Sequence, residues 1–420
     1  MANVRHIFPA LAFLAAYGVA EAQPSPPGWR QWGGPTGNFH VEGARLATSW
    51  PLVGPKRLWD RPLGEGYSSI VADEGTLYTM YRDGEREIVI ALDATTGTTR
   101  WQHAYPAPLL NDGGFGIWQN SAGPGPFSTP LIAGNAIFTV GLNGQFHALA
   151  RDTGSVIWSR NLVSEFKLSG YHGFAPSPLL YGDTVILPVG GSGQGVIAFR
   201  RHDGSVAWKS QDFGLAQASP SLIKVDGQDQ LVVLGPQQLV GLDPGDGKLL
   251  WSHPHRNNLG LNISTPVWGA GNLLFASSAY DSGSRVIRLT RAGGQTRAEE
   301  LWFNNRLRVH FGNAIRIGDL VLFTSGDFGP AFFAAVNVNT GQEVWRERSF
   351  GRSHLLSADG KLVIVDEDGE VAVATVGAAG LNVLAKASVL TENAWTPPTL
   401  VGSTLYVRDR KRIFALDLGR

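Results

Sequence analysis

Five times along the chain a small residue and a hydrophobic one stand ten and nine positions ahead of a tryptophan, with a glycine four positions before that tryptophan. The copies are Ala91-Leu92…Gly97…Trp101, Ala148-Leu149…Gly154…Trp158, Ala198-Phe199…Gly204…Trp208, Gly241-Leu242…Gly247…Trp251 and Ala335-Val336…Gly341…Trp345. A looser sixth copy ends at Trp302. Two short runs rich in Val, Ile, Leu, Phe and Tyr precede each copy, such as Pro130-Leu131-Ile132 followed by Ala136-Ile137-Phe138-Thr139-Val140. Turn pairs such as Gly134-Asn135, Gly182-Asp183 and Gly318-Asp319 separate the runs. Short strand-forming runs bounded by Gly, Asn and Asp predict hairpins. Each unit therefore reads as four antiparallel strands, the third carrying the small-hydrophobic pair and the fourth ending in Trp. The glycine takes positive φ in the hairpin between them. The Trp presents a large apolar surface to the next unit.

A unit of this kind cannot bury both faces alone, so units that recur every 43 to 57 residues must stack. The expectation is an all-β fold, an eight-bladed β-propeller of four-stranded antiparallel blades. The blades run over about 66–103, 127–161, 176–211, 218–254, 264–304, 310–348, 353–388 and 394–420. The seventh has lost its Trp but keeps the turns Asp359-Gly360 and Asp368-Gly369. The eighth restarts the pattern at Ala415-Leu416-Asp417 and reaches no Trp. Leu58-Trp59 supplies the missing fourth strand, so an N-terminal strand closes the last blade and removes an exposed edge.

The ends refine the domain map. Arg5 and His6 precede an apolar stretch from Ile7 to Ala20, and Ala20-Glu21-Ala22 fits a small-x-small cleavage site. Residues 1–22 read as a secretory signal peptide, with an uncleaved anchor as the alternative. Residues 23–57 read as an N-terminal segment wrapping the ring, and 58–420 as the propeller. With no cysteine there is no disulfide, thiolate ligand or lipid-bearing cysteine. Net charge is zero, which excludes the basic footprint of a nucleic-acid binder. No segment after the leader reaches spanning length. The expectation is a periplasmic or secreted bacterial protein, monomeric, whose partner is an envelope protein or a small polar ligand.

Ala91-Leu92-Asp93-Ala94-Thr95-Thr96-Gly97 followed by Trp101 resembles the repeat of the pyrroloquinoline quinone (PQQ)-like β-propellers, as does the opening Trp29-x-x-Trp32-x-Gly34-Pro35. The resemblance spans about 58–420 and implies the fold. For function it implies two poles: quinoprotein dehydrogenases, which hold PQQ and calcium on the ring axis, and BamB, a non-enzymatic scaffold. The chain departs from both. It lacks the vicinal cysteine pair usual in the dehydrogenases and the N-terminal lipidated cysteine normal for BamB.

Propellers bind ligands at the mouth of the axial channel, on the loops entering each innermost strand. Several of these loops carry Ser/Thr-Pro: Ser128-Thr129-Pro130, Ser177-Pro178, Ser219-Pro220, Ser264-Thr265-Pro266 and Thr396-Pro397. Their hydroxyls either satisfy local backbone groups or touch a ligand. The insertion between Tyr105 and Pro126 brings Asp112, Phe115, Trp118, Gln119 and Asn120 together, which suits a sugar or planar polar ligand, or equally a structural plug. Tyr67, His172, Asn262, His310, Asn313, His354 and Trp395 precede or open innermost strands and converge on one face, as ligand-binding groups or as the lining of a water-filled channel. Asp112 and Asp327 are the loop acids nominated for catalysis. Histidines converging around the axis suit a metal or acid–base work, but no metal-ligand spacing occurs within any one segment, and Asp366-Glu367-Asp368-Gly369 reads as a hairpin turn rather than a calcium loop. The function expected is an exported, non-catalytic PQQ-like propeller acting as a protein-interaction scaffold or ligand-binding module, with no cofactor. The alternative is a minimal PQQ-dependent oxidoreductase with PQQ and calcium at the axial mouth.

Overall fold

In the computed structural model, residues 28–109, 123–169, 173–327 and 329–419 are described. Their strands form eight sheets, each with an antiparallel four-stranded core, in chain order in all but the last, arranged as the predicted eight-bladed propeller. The blades span 71–106, 131–161, 179–210, 221–254, 267–304, 315–347, 353–388, and 399–417 together with 56–62. The strand Lys56–Pro62 lies antiparallel to Arg412–Asp417, so the ring closes through the N-terminal strand as the pattern requires. Inner strands are buried on both faces because blades stack face to face: Arg86–Asp93 is exposed only at its first residue. The outer strand of the same blade, Thr99–Pro106, alternates from Arg100 onward between exposed positions and partly or fully buried ones.

The repeated tryptophan is a clasp between neighbours, except in blade four, where Trp251 donates to Gln230 of its own blade. Trp101 pairs with Ala91 across a bulge in its own blade and donates its indole N–H to the Arg151 carbonyl in the next (2.8 Å). Trp59, Trp158, Trp208 and Trp302 repeat this on Ala94, Arg201, Pro244 and Val338. The glycine of the following blade lies flat against the same ring. A Cβ on Gly154 would stand 2.4 Å from Trp101, and one on Gly97 2.6 Å from Trp59. Both glycines have φ of +71°. The pattern therefore needs Gly twice over, for left-handed backbone and for an unobstructed indole face. In blade seven Ala385 occupies the Trp position, and Gly54 of the N-terminal segment comes in against Ala387 instead.

Residues 28–46 enter one end of the axial channel. The Trp29 carbonyl accepts from Ala72 N of blade one, and the Arg30 carbonyl from Ile132 N of blade two. His40–Val41 adds a fifth, parallel strand to the inner edge of blade seven, beside Ser353–Ala358. Asp359 accepts from Gly43 N and Arg45 N. Trp32 packs edge-on against Phe39 and donates to Thr265 Oγ1 of blade five (3.1 Å). The segment is a plug inside the ring.

Candidate axial site

Opposite the plug, the loops that enter the innermost strands enclose a cavity of about 360 Å³, within the range of small-ligand pockets. All eight blades contribute, from Tyr67 in blade one to Trp395 and Pro397 in blade eight, and Trp32 of the plug also lines it. Aromatic rings dominate. Tyr67 stacks on Phe127 (6.0 Å, 6°) and lies 5.3 Å from Trp395, whose other neighbour, Phe311, is 4.5 Å away. His310 follows at 4.4 Å from Phe311, and its Nε2 meets the Tyr280 hydroxyl at 2.6 Å.

Burial sets the charge state of this mouth. Desolvation, helped by the Arg352 charge, lowers His310 to about 4, and desolvation lowers His354 to about 4. Burial raises Tyr67 and Tyr280 to about 12. All four are neutral at pH 7. The charged groups around the rim are engaged with one another. Arg308 binds Asp281 (2.8 Å) and Asp327 (3.0 Å), Arg352 binds Glu367 (2.8 Å), and Arg410 binds Glu65 (3.0 Å). Glu367 also accepts from the Trp395 indole (3.1 Å), which orients that ring.

The nominated residues separate into groups. Tyr67, His310 and Trp395 line the cavity, with His354 beside them. Asn262 and Asn313 are turned into the wall. Asn262 donates to the Gly235 carbonyl of blade four (2.7 Å), and Asn313 exchanges two hydrogen bonds with the Leu355 backbone of blade seven. Asp327 lies behind the wall, accepting from Arg308 and from the Tyr280 backbone N–H (3.2 Å). Asp112, Phe115, Trp118 and His172 lie outside the described residues. Hydroxyls of the Ser/Thr-Pro loops link blades rather than closing locally: Ser177 Oγ accepts from Thr129 N and Ser219 Oγ from Ser177 N. Asp366 accepts from the backbone N–H groups of Asp368 and Glu370, so 366–369 is a capped turn.

Tyr280, Phe127 and Trp32 also line the cavity, none of them at a position that the repeat pattern marks. Tyr280 and Asp281 are the central residues of the hairpin turn Ala279–Ser282, with φ of +57° and +65° where Asn-Gly is usual. Left-handed backbone at a bulky residue costs on the order of 1–3 kcal/mol and marks sites where a side chain must point one way. Here it carries Tyr280 to the cavity. The available signal was a two-residue turn without glycine between strand-forming runs.

Fold, repeat clasp and axial mouth together define a PQQ-like β-propeller of eight blades. The sequence profile of the family described as outer membrane protein assembly factor BamB matches residues 85–329, more than half of the chain, and the chain belongs to that family. It is 23% identical over 328 residues to the outer membrane protein assembly factor BamB of Burkholderia pseudomallei (strain K96243), covering 66% of this chain and 79% of that one. Among solved structures, BamB from Moraxella catarrhalis superposes with a TM-score of 0.58 at 17% identity, over 86% of this chain and 96% of its own. A europium-containing methanol dehydrogenase superposes at 0.65 and 15% identity, over 91% and 89%. At such identities the structural likenesses concern the fold alone.

Proposed function

We propose that the protein is exported and acts in the cell envelope as a non-catalytic propeller, a scaffold that engages envelope proteins. Family membership supports this, and so does the leader-like stretch at residues 1–22. The observation that carries it is the engagement of the rim charges with each other. Asp327, nominated as a base, is tied to Arg308 and a backbone N–H, and the cavity histidines are held neutral by burial. No helix among the described residues is long and apolar enough to cross a membrane.

The fold raises PQQ with calcium as the alternative. PQQ carries several carboxylates and calcium seeks oxygen ligands, preferably carboxylates. No Lys, Arg, Asp or Glu side chain lines the cavity among the described residues. The described lining does not fit an anionic quinone and its metal.

Calorimetric titration of the mature protein with PQQ plus calcium, a dye-coupled assay with alcohols and sugars, and cross-linking in an envelope extract test the proposal together. The expected outcome is no quinone binding, no dye reduction and a discrete adduct with an envelope protein. Tight quinone binding abolished by His310→Ala, with dye reduction, would overturn it in favour of an oxidoreductase.

A further inference from the structure

We propose that the axial cavity is a binding site for an uncharged, flat ring compound bearing a hydroxyl or carbonyl group. The site is distinct from a protein-docking face: it is a concave cup that reaches down to Trp32 of the plug, a depth suited to a small molecule.

Shape and rings set the first part of the specificity. Tyr67, Phe127, Trp395 and Phe311 form a nearly continuous arc of aromatic faces and edges around a volume sized for one or two fused rings. Offset and edge-to-face contact with such an arc favours a flat aromatic partner. A sugar would also stack, but its many hydroxyls each need a partner, and the lining is mostly apolar.

Charge sets the second part. An ionised ligand entering this cup would lose hydration without meeting a free counter-charge among the described residues, since the rim's Arg and Glu groups already bind one another. An uncharged ligand escapes that penalty.

His354 sets the third. It is 3% exposed and lines the cavity; the Trp395 backbone lies against it, and among the described residues neither ring nitrogen completes a well-formed hydrogen bond. Buried polar groups are ordinarily satisfied. A neutral imidazole offers one donor and one acceptor, which a ligand hydroxyl or carbonyl would complete.

The test titrates the mature protein with three probes of one shape: 2-naphthol, naphthalene and the anion 2-naphthoate, read by calorimetry and by quenching of tryptophan emission. The expected order is 2-naphthol tightest, with naphthoate at least about tenfold weaker for want of a counter-charge. Trp395→Ala should weaken both neutral probes. His354→Leu should weaken 2-naphthol about fivefold to tenfold and leave naphthalene unchanged, a split that general loosening would not produce. Unchanged melting temperatures for Trp395→Ala and the milder Trp395→Phe separate lost binding from lost fold. Naphthoate binding as tightly as naphthol, no saturable binding of either neutral probe, or insensitivity to both substitutions would overturn the proposal. Displacement of 2-naphthol by methyl glucoside at lower concentration would overturn it in favour of a sugar site. None of these outcomes bears on the cross-linked adduct that tests the scaffold reading.

Discussion

Two glycine-to-alanine substitutions separate the conformational role of the repeat glycine from its role against the indole. Gly182, in the turn between Leu179–Tyr181 and Thr184–Pro188, has φ of +56° and nothing within 4 Å of an added Cβ. Gly182→Ala should therefore cost only the left-handed conformation, about 1–2 kcal/mol. Gly154 has φ of +71°, but its Cβ would sit 2.4 Å from Trp101 Cε3. The ring must shift, which costs about 1–3 kcal/mol in overpacking. The shift also strains the Trp101–Arg151 hydrogen bond, a contribution of about 1 kcal/mol. Gly154→Ala should then cost about 3–6 kcal/mol in all. Urea unfolding followed by tryptophan fluorescence and far-ultraviolet circular dichroism measures the difference. In a Trp101→Ala background, Gly154→Ala should fall back to the cost seen at Gly182. Equal costs for the two glycines in the wild-type background, or an undiminished cost without Trp101, would refute the clasp.

Three further expectations follow from the same contacts. Arg408, fully buried, donates from blade eight to the Met80 carbonyl of blade one (2.7 Å), so Arg408→Met should destabilise by about 2–4 kcal/mol and speed amide exchange first at that seam. Burial lowers His147, His310 and His354 to about 4 and His255 to about 3, below the unfolded value of 6.5. Depressed histidine values contribute stability that is present above pH 6.5 and lost as pH falls towards 4. The urea midpoint should drop across that window, and His354→Leu should flatten the drop. Trp32→Ala removes part of the cavity lining and the bond to Thr265, and should weaken 2-naphthol binding while leaving the circular dichroism of the ring unchanged.

The blades were legible because the clasp is written locally: a small residue opposite each Trp except Trp302, a turn glycine, and fixed spacing all lie within one unit. Closure by Lys56–Pro62 was legible for the same reason, since a pattern cut short at Arg420 resumes at Trp59. The mouth was legible only in position. That Tyr67, His310 and Trp395 converge follows from where loops enter blades, but that Asn262 and Asn313 turn into the wall depends on carbonyls presented by neighbouring blades. Phe127 and Tyr280 carry no pattern that distinguishes them from core aromatics or turn residues.

By itself the sequence determined repeat, blade count and closure, because those depend on periodicity and on contacts between adjacent units. Only the tertiary structure decided that residues 28–46 plug the channel, that rim charges engage each other, and that His354 faces the cavity with no well-formed hydrogen bond among the described residues. Each of these depends on groups far apart in the chain meeting across the ring axis, where desolvation and pairing, not local preference, set which groups are charged and which are satisfied.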